Sequence, residues 1–156
     1  MTFSSQPIRG LDLPDVSQIG VIVVDMDRAV EYYQKTIGLG PFIHAGRVFS
    51  FLEYRGERVE SKWLMAFASL GHLELELIQT VSGPTIFDEF LRRGGEGLHH
   101  LGFDVKDLEA SLERCRAIHI DVLMQGRFEG GGFAYLDTEK IGGVVFELIQ
   151  RPARRA

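Results

Sequence analysis

The sequence predicts an α+β fold in which two tandem βαβββ modules form curled mixed sheets around a cleft. The first observation is an internal repeat: residues 18–26 (QIGVIVVDM) and residues 100–108 (HLGFDVKDL) share their polar, apolar and glycine positions at an offset of 82 residues. The second is a closing tetrapeptide, Glu-Leu-Ile-Gln, at residues 76–79 and again at 147–150. In each copy one helical stripe precedes three strand-like segments, which gives the βαβββ order.

The first copy opens with a strand and continues as a helix. Asp25 stands where an N-cap residue would accept a hydrogen bond from the first turn, and Gly38 is expected to end the helix. The apolar stripe of this helix comprises Met26, Ala29, Val30, Tyr33 and Ile37. Between turn signals the three following strands are predicted at Arg47–Tyr54, Lys62–Leu70 and His72–Thr80.

The second copy repeats this order after a connecting segment. Residues 82–97 contain a short amphipathic helix, which Gly94 and Gly95 end. Asp107 is the predicted N-cap of the next helix, whose apolar stripe includes Cys115 and predicts that this thiol is buried. The strands of the second copy are predicted at Val122–Gln125, Phe133–Asp137 and Gly143–Gln150.

These elements divide the chain into five segments. Residues 1–15 are an extension, 16–80 the first module, 81–97 a linker with the short helix, 98–150 the second module and 151–156 a tail. Residues 16–150 are expected to form a single domain. The second copy is 11 residues shorter between its helix and its last strand, so the first copy must carry extra chain in that interval.

Composition excludes several classes of protein. With 156 residues, 45% hydrophobic and 25% charged, the chain is long enough to bury its own core. The net charge of −5 disfavours a nucleic-acid partner. Because the sequence shows neither a long apolar run nor an apolar leader, we expect neither a membrane-spanning protein nor a secreted one. The single cysteine excludes an internal disulfide and a thiolate metal cluster, so we expect a cytoplasmic protein.

The repeat pairs polar residues within strand patterns. Gln18 matches His100 and Glu76 matches Glu147, so a pseudo-two-fold axis would bring the four together. Glu76 and Glu147 each stand between apolar neighbours, which predicts that their side chains point away from the helices into the cleft. Each of the other two is followed two residues later by a glycine on the same face, Gly20 or Gly102, which leaves room for a ligand.

Two carboxylates, an imidazole and an amide predict a metal-binding cleft, because buried carboxylates are costly without a cation. The oxygen-rich set suits a divalent Zn, Co, Ni, Mn, Fe or Mg ion. The alternative is that both glutamates lie on a solvent-facing strand surface and that His100 is a structural histidine.

Three segments resemble the vicinal oxygen chelate superfamily, which includes glyoxalase I, methylmalonyl-CoA epimerase, bleomycin-resistance proteins and extradiol dioxygenases. Residues 90–104 (FLRRGGEGLHHLGFD) and 142–150 (GGVVFELIQ) are most similar to methylmalonyl-CoA epimerase-like proteins, and residues 18–42 have the pattern of the whole superfamily. The resemblance implies a pair of βαβββ modules around a divalent ion held by Gln18, Glu76, His100 and Glu147. It also implies a small-molecule substrate and a homodimer, without nucleic acid or membrane as partner.

One ligand position departs from the epimerase pattern. Those enzymes usually have histidine where this chain has Gln18, whereas a Gln-Glu-His-Glu set is similar to that of some glyoxalase I enzymes. Extradiol dioxygenases hold iron with two histidines and one glutamate, so Gln18 argues against that chemistry.

The expected function is therefore a metal-dependent isomerase or epimerase that moves a proton next to a carbonyl, with an acyl-CoA or similar thioester as substrate. Glu147 is expected to act as ligand and base. Glu60 is near the position of the epimerases' second catalytic glutamate, with Glu57 and Glu53 as rivals and a solvated turn as the alternative. Two other functions stay open: a glyoxalase I-type lactoylglutathione lyase acting on a hemithioacetal, and a non-catalytic resistance-type protein that binds a small molecule.

Overall fold

The computed structural model describes residues 10–153, so the predictions for residues 1–9 and 154–156 lie outside the described part of the chain. Within these described residues, ten strands form one continuous curled sheet in the order β2-β5-β6-β1-β7-β10-β9-β8-β3-β4. The strands are β1 (Val16–Ile22), β2 (Ile43–Ala45), β3 (Phe51–Tyr54), β4 (Glu57–Arg58), β5 (Lys62–Leu70), β6 (Leu73–Ser82), β7 (Gly97–Asp104), β8 (Val122–Phe128), β9 (Gly131–Leu136) and β10 (Val145–Gln150).

In the described part of the chain, three helices connect the strands. They are α1 (Met26–Glu31), which continues as a π-helical segment (Tyr32–Ile37), α2 (Ile86–Gly94) and α3 (Leu108–Ala117). The side chains of Asp25 and Asp107 accept backbone N–H groups in the first turns of α1 and α3, as the sequence predicted. Gly38 ends the first helical stretch at a φ of 76°, in the left-handed region that favours glycine.

The predicted α+β fold of two tandem modules is confirmed. The first module pairs in the order β1-β6-β5-β2 and the second in the order β7-β10-β9-β8, so the two are related by a pseudo-two-fold axis. In each module the opening strand is parallel to the closing strand, and the two opening strands, β1 and β7, pair antiparallel at the centre of the sheet. Both opening strands therefore run along the floor of the cleft.

The predicted strand at Arg47–Tyr54 needs correction. The first module's own second strand is β2, which pairs with β5, whereas Phe51–Tyr54 pairs with β8 of the second module. The hairpin of β3 and β4 is thus an insertion that crosses to the other module and extends its edge. It lies in the interval where the second copy is shorter, and it has no counterpart there.

The repeated glutamates face the cleft because their apolar neighbours pack outward. Leu75 and Leu77 lie against α1 in one core cluster, and Leu148 lies against α3 in another. A third cluster fills the concave side of the sheet, where Ile86 and Phe87 of α2 are fully or almost fully buried. Burial of these apolar faces fixes which way the strands present their polar residues.

The last residue of the repeated tetrapeptide caps a helix in each module. The side-chain oxygen of Gln79 accepts the Met26 N–H at 2.7 Å, and that of Gln150 accepts the Leu108 N–H at 2.8 Å. These bonds satisfy first-turn donors of α1 and α3 and tie each helix to the closing strand of its own module. The tetrapeptide is therefore repeated because its glutamate faces the cleft, its leucine packs outward and its glutamine caps a helix.

Cys115 is 1% exposed in the core beneath α3, and burial raises the pKa of its thiol. We expect a thiol reagent to label the native protein far more slowly than the urea-unfolded protein, because the reactive thiolate is suppressed and shielded. The measurement is the rate of reaction with a chromogenic disulfide. We also expect Cys115→Ala to keep its activity. Rapid native labelling or an inactive but folded variant would contradict these expectations.

The inserted hairpin is tied to α2 by an ion pair. Arg55 donates two hydrogen bonds of 2.7 Å to Glu89, and this guanidinium holds the pKa of Glu89 at about 2. A lowered folded-state pKa stabilises the protein above the ordinary value of 4.5, and this stabilisation is lost as the pH falls from there towards 2.

We expect Arg55→Gln to reduce the free energy of unfolding by about 1 kcal/mol at neutral pH, since the pair is half exposed on its Arg55 side. The difference from wild type should shrink as the pH is lowered below 4.5. Urea unfolding between pH 3 and 7 measures it, with Lys35→Gln as control because the Lys35–Glu31 pair is mostly exposed. A pH-independent difference would mean that Arg55 acts through packing alone.

None of the helices within residues 10–153 is long and apolar enough to cross a membrane.

Candidate metal centre

The four repeat-matched side chains converge on the floor of the cleft. The His100 Nε2 atom lies 3.3 Å from Glu76 Oε2, 3.2 Å from Glu147 Oε2 and 3.4 Å from Gln18 Oε1. Exposed fractions are 0% for His100, 5% for each glutamate and 3% for Gln18. The ligand atoms of the two glutamates and His100 all lie within 4.8 Å of one another, a spacing that could accommodate one ion.

Both repeat-matched glycines make room for this cluster. Gly20 pairs with His100 across β1 and β7, and a Cβ on Gly20 would lie 1.9 Å from the His100 ring. Gly102 pairs with Gln18, and a Cβ there would lie 2.9 Å from the Gln18 Cβ. Each glycine therefore leaves room for the ligand side chain of the facing strand, Gly20 for His100 and Gly102 for Gln18, which explains the glycine in each copy.

The two carboxylates are incompletely satisfied. Within residues 10–153, Glu76 Oε2 and Glu147 Oε2 are buried without a hydrogen-bond partner, although both face His100. Burial raises the pKa of Glu76. Burial alone would lower the pKa of His100, but Glu147 and Glu76 beside it raise this pKa to about 9. A cluster of buried acceptors around one imidazole is an environment that a cation would satisfy.

The donor set fits a divalent cation. Two carboxylate oxygens, one imidazole nitrogen and one amide oxygen match the ligands that zinc and other first-row divalent ions take in proteins. Gln18, Glu76, His100 and Glu147 would hold the ion, because each directs a ligand atom to the same place.

The Gln18 amide has its orientation set by a neighbouring ion pair. Gln18 Nε2 donates to Glu74 Oε1 at 2.9 Å, so Gln18 Oε1 is the atom turned to the cluster. Arg151 in turn donates to the same Glu74 oxygen at 3.2 Å and to Asp104 at 2.9 Å. Since the amide nitrogen has an acceptor, the oxygen is available as a ligand.

The cluster forms one end of a small cup that has an aromatic wall. We define the cup by its lining residues Gln18, Glu76, Glu147, Phe49, Trp63 and Tyr135, with Arg47 and Arg151 at the mouth. The Tyr135 ring lies 5.0 Å from the His100 ring, and burial raises the pKa of Tyr135 well above its usual value. The cavity volume is about 40 Å³, which is enough for an ion with little else.

Glu60 is not brought to this cluster. It is exposed between β4 and β5 and lines a neighbouring surface groove, which shares Arg47 and Phe49 with the cup. Neither rival lines the cup: Glu57 is exposed on β4, and Glu53 accepts a hydrogen bond from Gln125. A general base must reach the proton that it removes, so the geometry gives Glu60 no support and its catalytic role stays a prediction.

Three residues around the site carried no clear sequence signal. Arg47 stacks on the Phe128 ring at 4.0 Å, Glu74 holds the Gln18 amide, and His99 contacts the His100 ring. Burial lowers the pKa of His99 to about 3. Of these three, only Glu74 could be placed from the sequence, because strand alternation puts it on the same face of β6 as Glu76.

The family model of the glyoxalase/bleomycin resistance protein/dioxygenase superfamily matches residues 17–135. The chain belongs to this superfamily. Family members bind divalent metals, which agrees with the buried Glu-His-Glu group found here. The match spans both modules and includes Gln18, Glu76 and His100.

Among curated proteins, the chain is 26% identical over 138 residues to the uncharacterized protein YqjC of Bacillus subtilis (strain 168), covering 86% of this chain and 91% of that protein. Among solved structures, it is similar to methylmalonyl-CoA epimerase from Mycobacterium tuberculosis at 20% identity and a TM-score of 0.66, covering 96% and 95% of the two chains. A methylmalonyl-CoA epimerase in complex with methylmalonyl-CoA and NH4+ is 24% identical, with a TM-score of 0.68 and 91% and 97% coverage. These structural likenesses establish the fold.

Proposed function

We propose that this superfamily member is a metal-dependent epimerase or isomerase that transfers a proton at the carbon next to a thioester carbonyl, with methylmalonyl-CoA as the model substrate. The convergence of four repeat-matched ligand atoms, with one oxygen of each buried glutamate left without a hydrogen-bond partner in residues 10–153, carries the proposal. The epimerase fold of the structural neighbours supports it.

A bound divalent ion would supply Lewis-acid stabilisation of the enolate that forms when the proton leaves. The chain supplies the rest. Glu147 places its Oε2 atom 3.2 Å from His100 Nε2 in the cluster, and we assign it as the base that takes and returns the proton. The four ligand residues are at most 5% exposed, so little water reaches them, and the neutral Tyr135 phenol beside the carboxylates is available as a hydrogen-bond donor.

Substrate entry requires a change in the cup. A cavity of about 40 Å³ cannot admit an acyl group together with an ion. Phe49 fills the space by stacking on Trp63 with ring centroids 5.0 Å apart, and it lies between β2 and β3, outside the strands. We therefore expect Phe49 to move outward when the substrate binds, while the strand-borne ligands keep their positions.

A glyoxalase-type lyase is the second candidate, because Gln18 presents its oxygen to the cluster and Glu74 holds it there. This gives the Gln-Glu-His-Glu set that resembles some glyoxalase I enzymes. The same enolate chemistry serves both reactions, so the substrate decides between them. A binding protein without catalysis is the third candidate and needs no metal.

The deciding experiment uses untagged protein with one equivalent of zinc, cobalt or nickel and follows solvent deuterium into methylmalonyl-CoA at the carbon next to the thioester. Metal-dependent exchange supports the epimerase. Conversion of the hemithioacetal of methylglyoxal and glutathione, without exchange into the acyl-CoA, would favour the lyase. If the metal-bound protein shows neither activity, the binding function remains as the explanation.

A further inference from the structure

The two consecutive histidines of β7 lie on the same side of their strand, which a regular strand does not allow. The register with β1 explains it: Gly20 pairs with His100, but the next residue, Val21, pairs with Leu98. His99 is therefore the extra residue of a β-bulge, and bulges redirect side chains. As a result, the Nδ1 atoms of His99 and His100 approach to 2.9 Å.

His99 occupies an apolar aromatic pocket behind the metal-binding cluster. Its exposed fraction is 3%, and its ring makes edge-to-face contacts with Phe87 and Phe90 of α2 at centroid distances of 5.6 and 5.2 Å. Its Nε2 atom is buried without a hydrogen-bond partner in the described residues. Among residues 10–153, the polar contact of this side chain is therefore its Nδ1 contact with His100, which packing alone does not require.

The position of the hydrogen on each imidazole ring determines which of the two histidines donates in this contact. His100 directs Nε2 to the ligand atoms of Glu76 and Glu147, so a neutral His100 that binds an ion through Nε2 must carry its hydrogen on Nδ1. The Nδ1–H group then points at His99 Nδ1, which accepts it only with its own hydrogen on Nε2. This tautomer places an N–H, and not a bare lone pair, at the buried Nε2 atom of a ring surrounded by aromatic side chains, where an N–H is the better tolerated group.

We propose that His99 is a positioning residue, which accepts the His100 Nδ1–H and so fixes the tautomer and ring plane of the metal ligand. The inference rests on the metal centre of the proposed function and is independent of the substrate. Histidine ligands usually donate their second N–H to a carboxylate, a backbone carbonyl or water. A neutral imidazole in this role orients His100 without adding a further negative charge to a site that already holds two buried carboxylates.

The repeat supplies a matched control. Ser17 stands 82 residues before His99 and is likewise the extra residue of a bulge, between the pairs Val16–Phe103 and Gln18–Gly102. Its hydroxyl donates to the Gly102 carbonyl at 3.3 Å and not to Gln18, whose amide is held by Glu74. The two bulges are therefore equivalent in the backbone, but only the His99 bulge contacts a ligand side chain.

Zinc affinity, measured by competition with a chromogenic chelator, tests the proposal on the full chain. His99→Phe keeps an aromatic ring but removes the acceptor, and we expect it to bind zinc about 10–100-fold more weakly. His99→Asn can place its amide oxygen near the Nδ1 position and should restore near wild-type affinity. Ser17→Ala should bind zinc as wild type does. Equal zinc affinity of folded His99→Phe and wild type would overturn the proposal.

Nitrogen NMR of the wild-type protein tests the same point without a variant that must fold. In the zinc-loaded protein we expect a proton on His100 Nδ1 and on His99 Nε2, with slow exchange of the His100 proton because the pair is buried. A proton on His99 Nδ1 would overturn the proposal, and so would a wild-type chain that binds no divalent ion. Zinc binding without any exchange into acyl-CoA would remove the epimerase function and leave the role of His99 intact.

Discussion

Glu147→Gln is expected to lose about 10²–10⁴-fold in deuterium exchange into methylmalonyl-CoA while it still binds metal. An amide oxygen can remain a ligand, as Gln18 Oε1 is placed to be, but an amide accepts no proton at neutral pH. The loss should therefore fall on turnover much more than on metal content. Exchange rates at saturating substrate, together with the zinc-to-protein ratio of the same samples, give both quantities.

Glu60→Gln is the paired variant, because it removes an exposed carboxylate outside the cup lining. If Glu60 is a second base, exchange should fail for one epimer of the substrate and continue for the other. If its rate is unchanged for both epimers, Glu60 belongs to the solvated surface. A Glu147→Gln protein that exchanges at the wild-type rate would make Glu147 a ligand only, and the base would then have to be sought among the other carboxylates.

The convergence of the four candidate ligand side chains could be predicted from the sequence because they lie near the repeat axis. Gln18 matches His100 and Glu76 matches Glu147, and all four lie on strands. Their side chains point into the cleft because the apolar neighbours on the same strands must pack against α1 and α3. Such a prediction needs only strand alternation and symmetry. The inserted hairpin breaks the symmetry, so the partner of Phe51–Tyr54 could not be inferred from a comparison of the two copies.

The residues around the ligands were beyond that reasoning for a different reason. Strand alternation assigns His99 to the face opposite His100, and only the register shift against Val21 reverses this. A bulge depends on the pairing of two strands that lie about 80 residues apart in the chain, which local patterns do not encode. The hydrogen bond from Gln18 to Glu74 likewise joins side chains of β1 and β6.

Gly20→Ala is expected to abolish zinc binding and to lower stability by about 1–3 kcal/mol, the usual cost of overpacking. The new methyl group would lie 1.9 Å from His100 Cε1 and 2.1 Å from Nε2, so the ring must leave its position over β1. Strand pairing of Gly20 with His100 prevents the two backbones from separating to make room. Zinc titration and urea unfolding measure the two effects.

Substitutions of two other glycines serve as comparisons for this prediction. Gly94→Ala should bind zinc normally, because nothing lies within 4 Å of the added Cβ at the end of α2. Gly102→Ala is the repeat-matched change, and its nearest contacts are the Gln18 Cβ and Ile149 Cδ1 at 2.9 Å. We expect it to weaken zinc binding less than Gly20→Ala does, because contacts at 2.9 Å, one of them with the mobile end of the Ile149 side chain, need a smaller adjustment than contacts of 1.9–2.3 Å with the rigid His100 ring. Wild-type zinc affinity in folded Gly20→Ala would mean that His100 does not bind the ion from its position over Gly20.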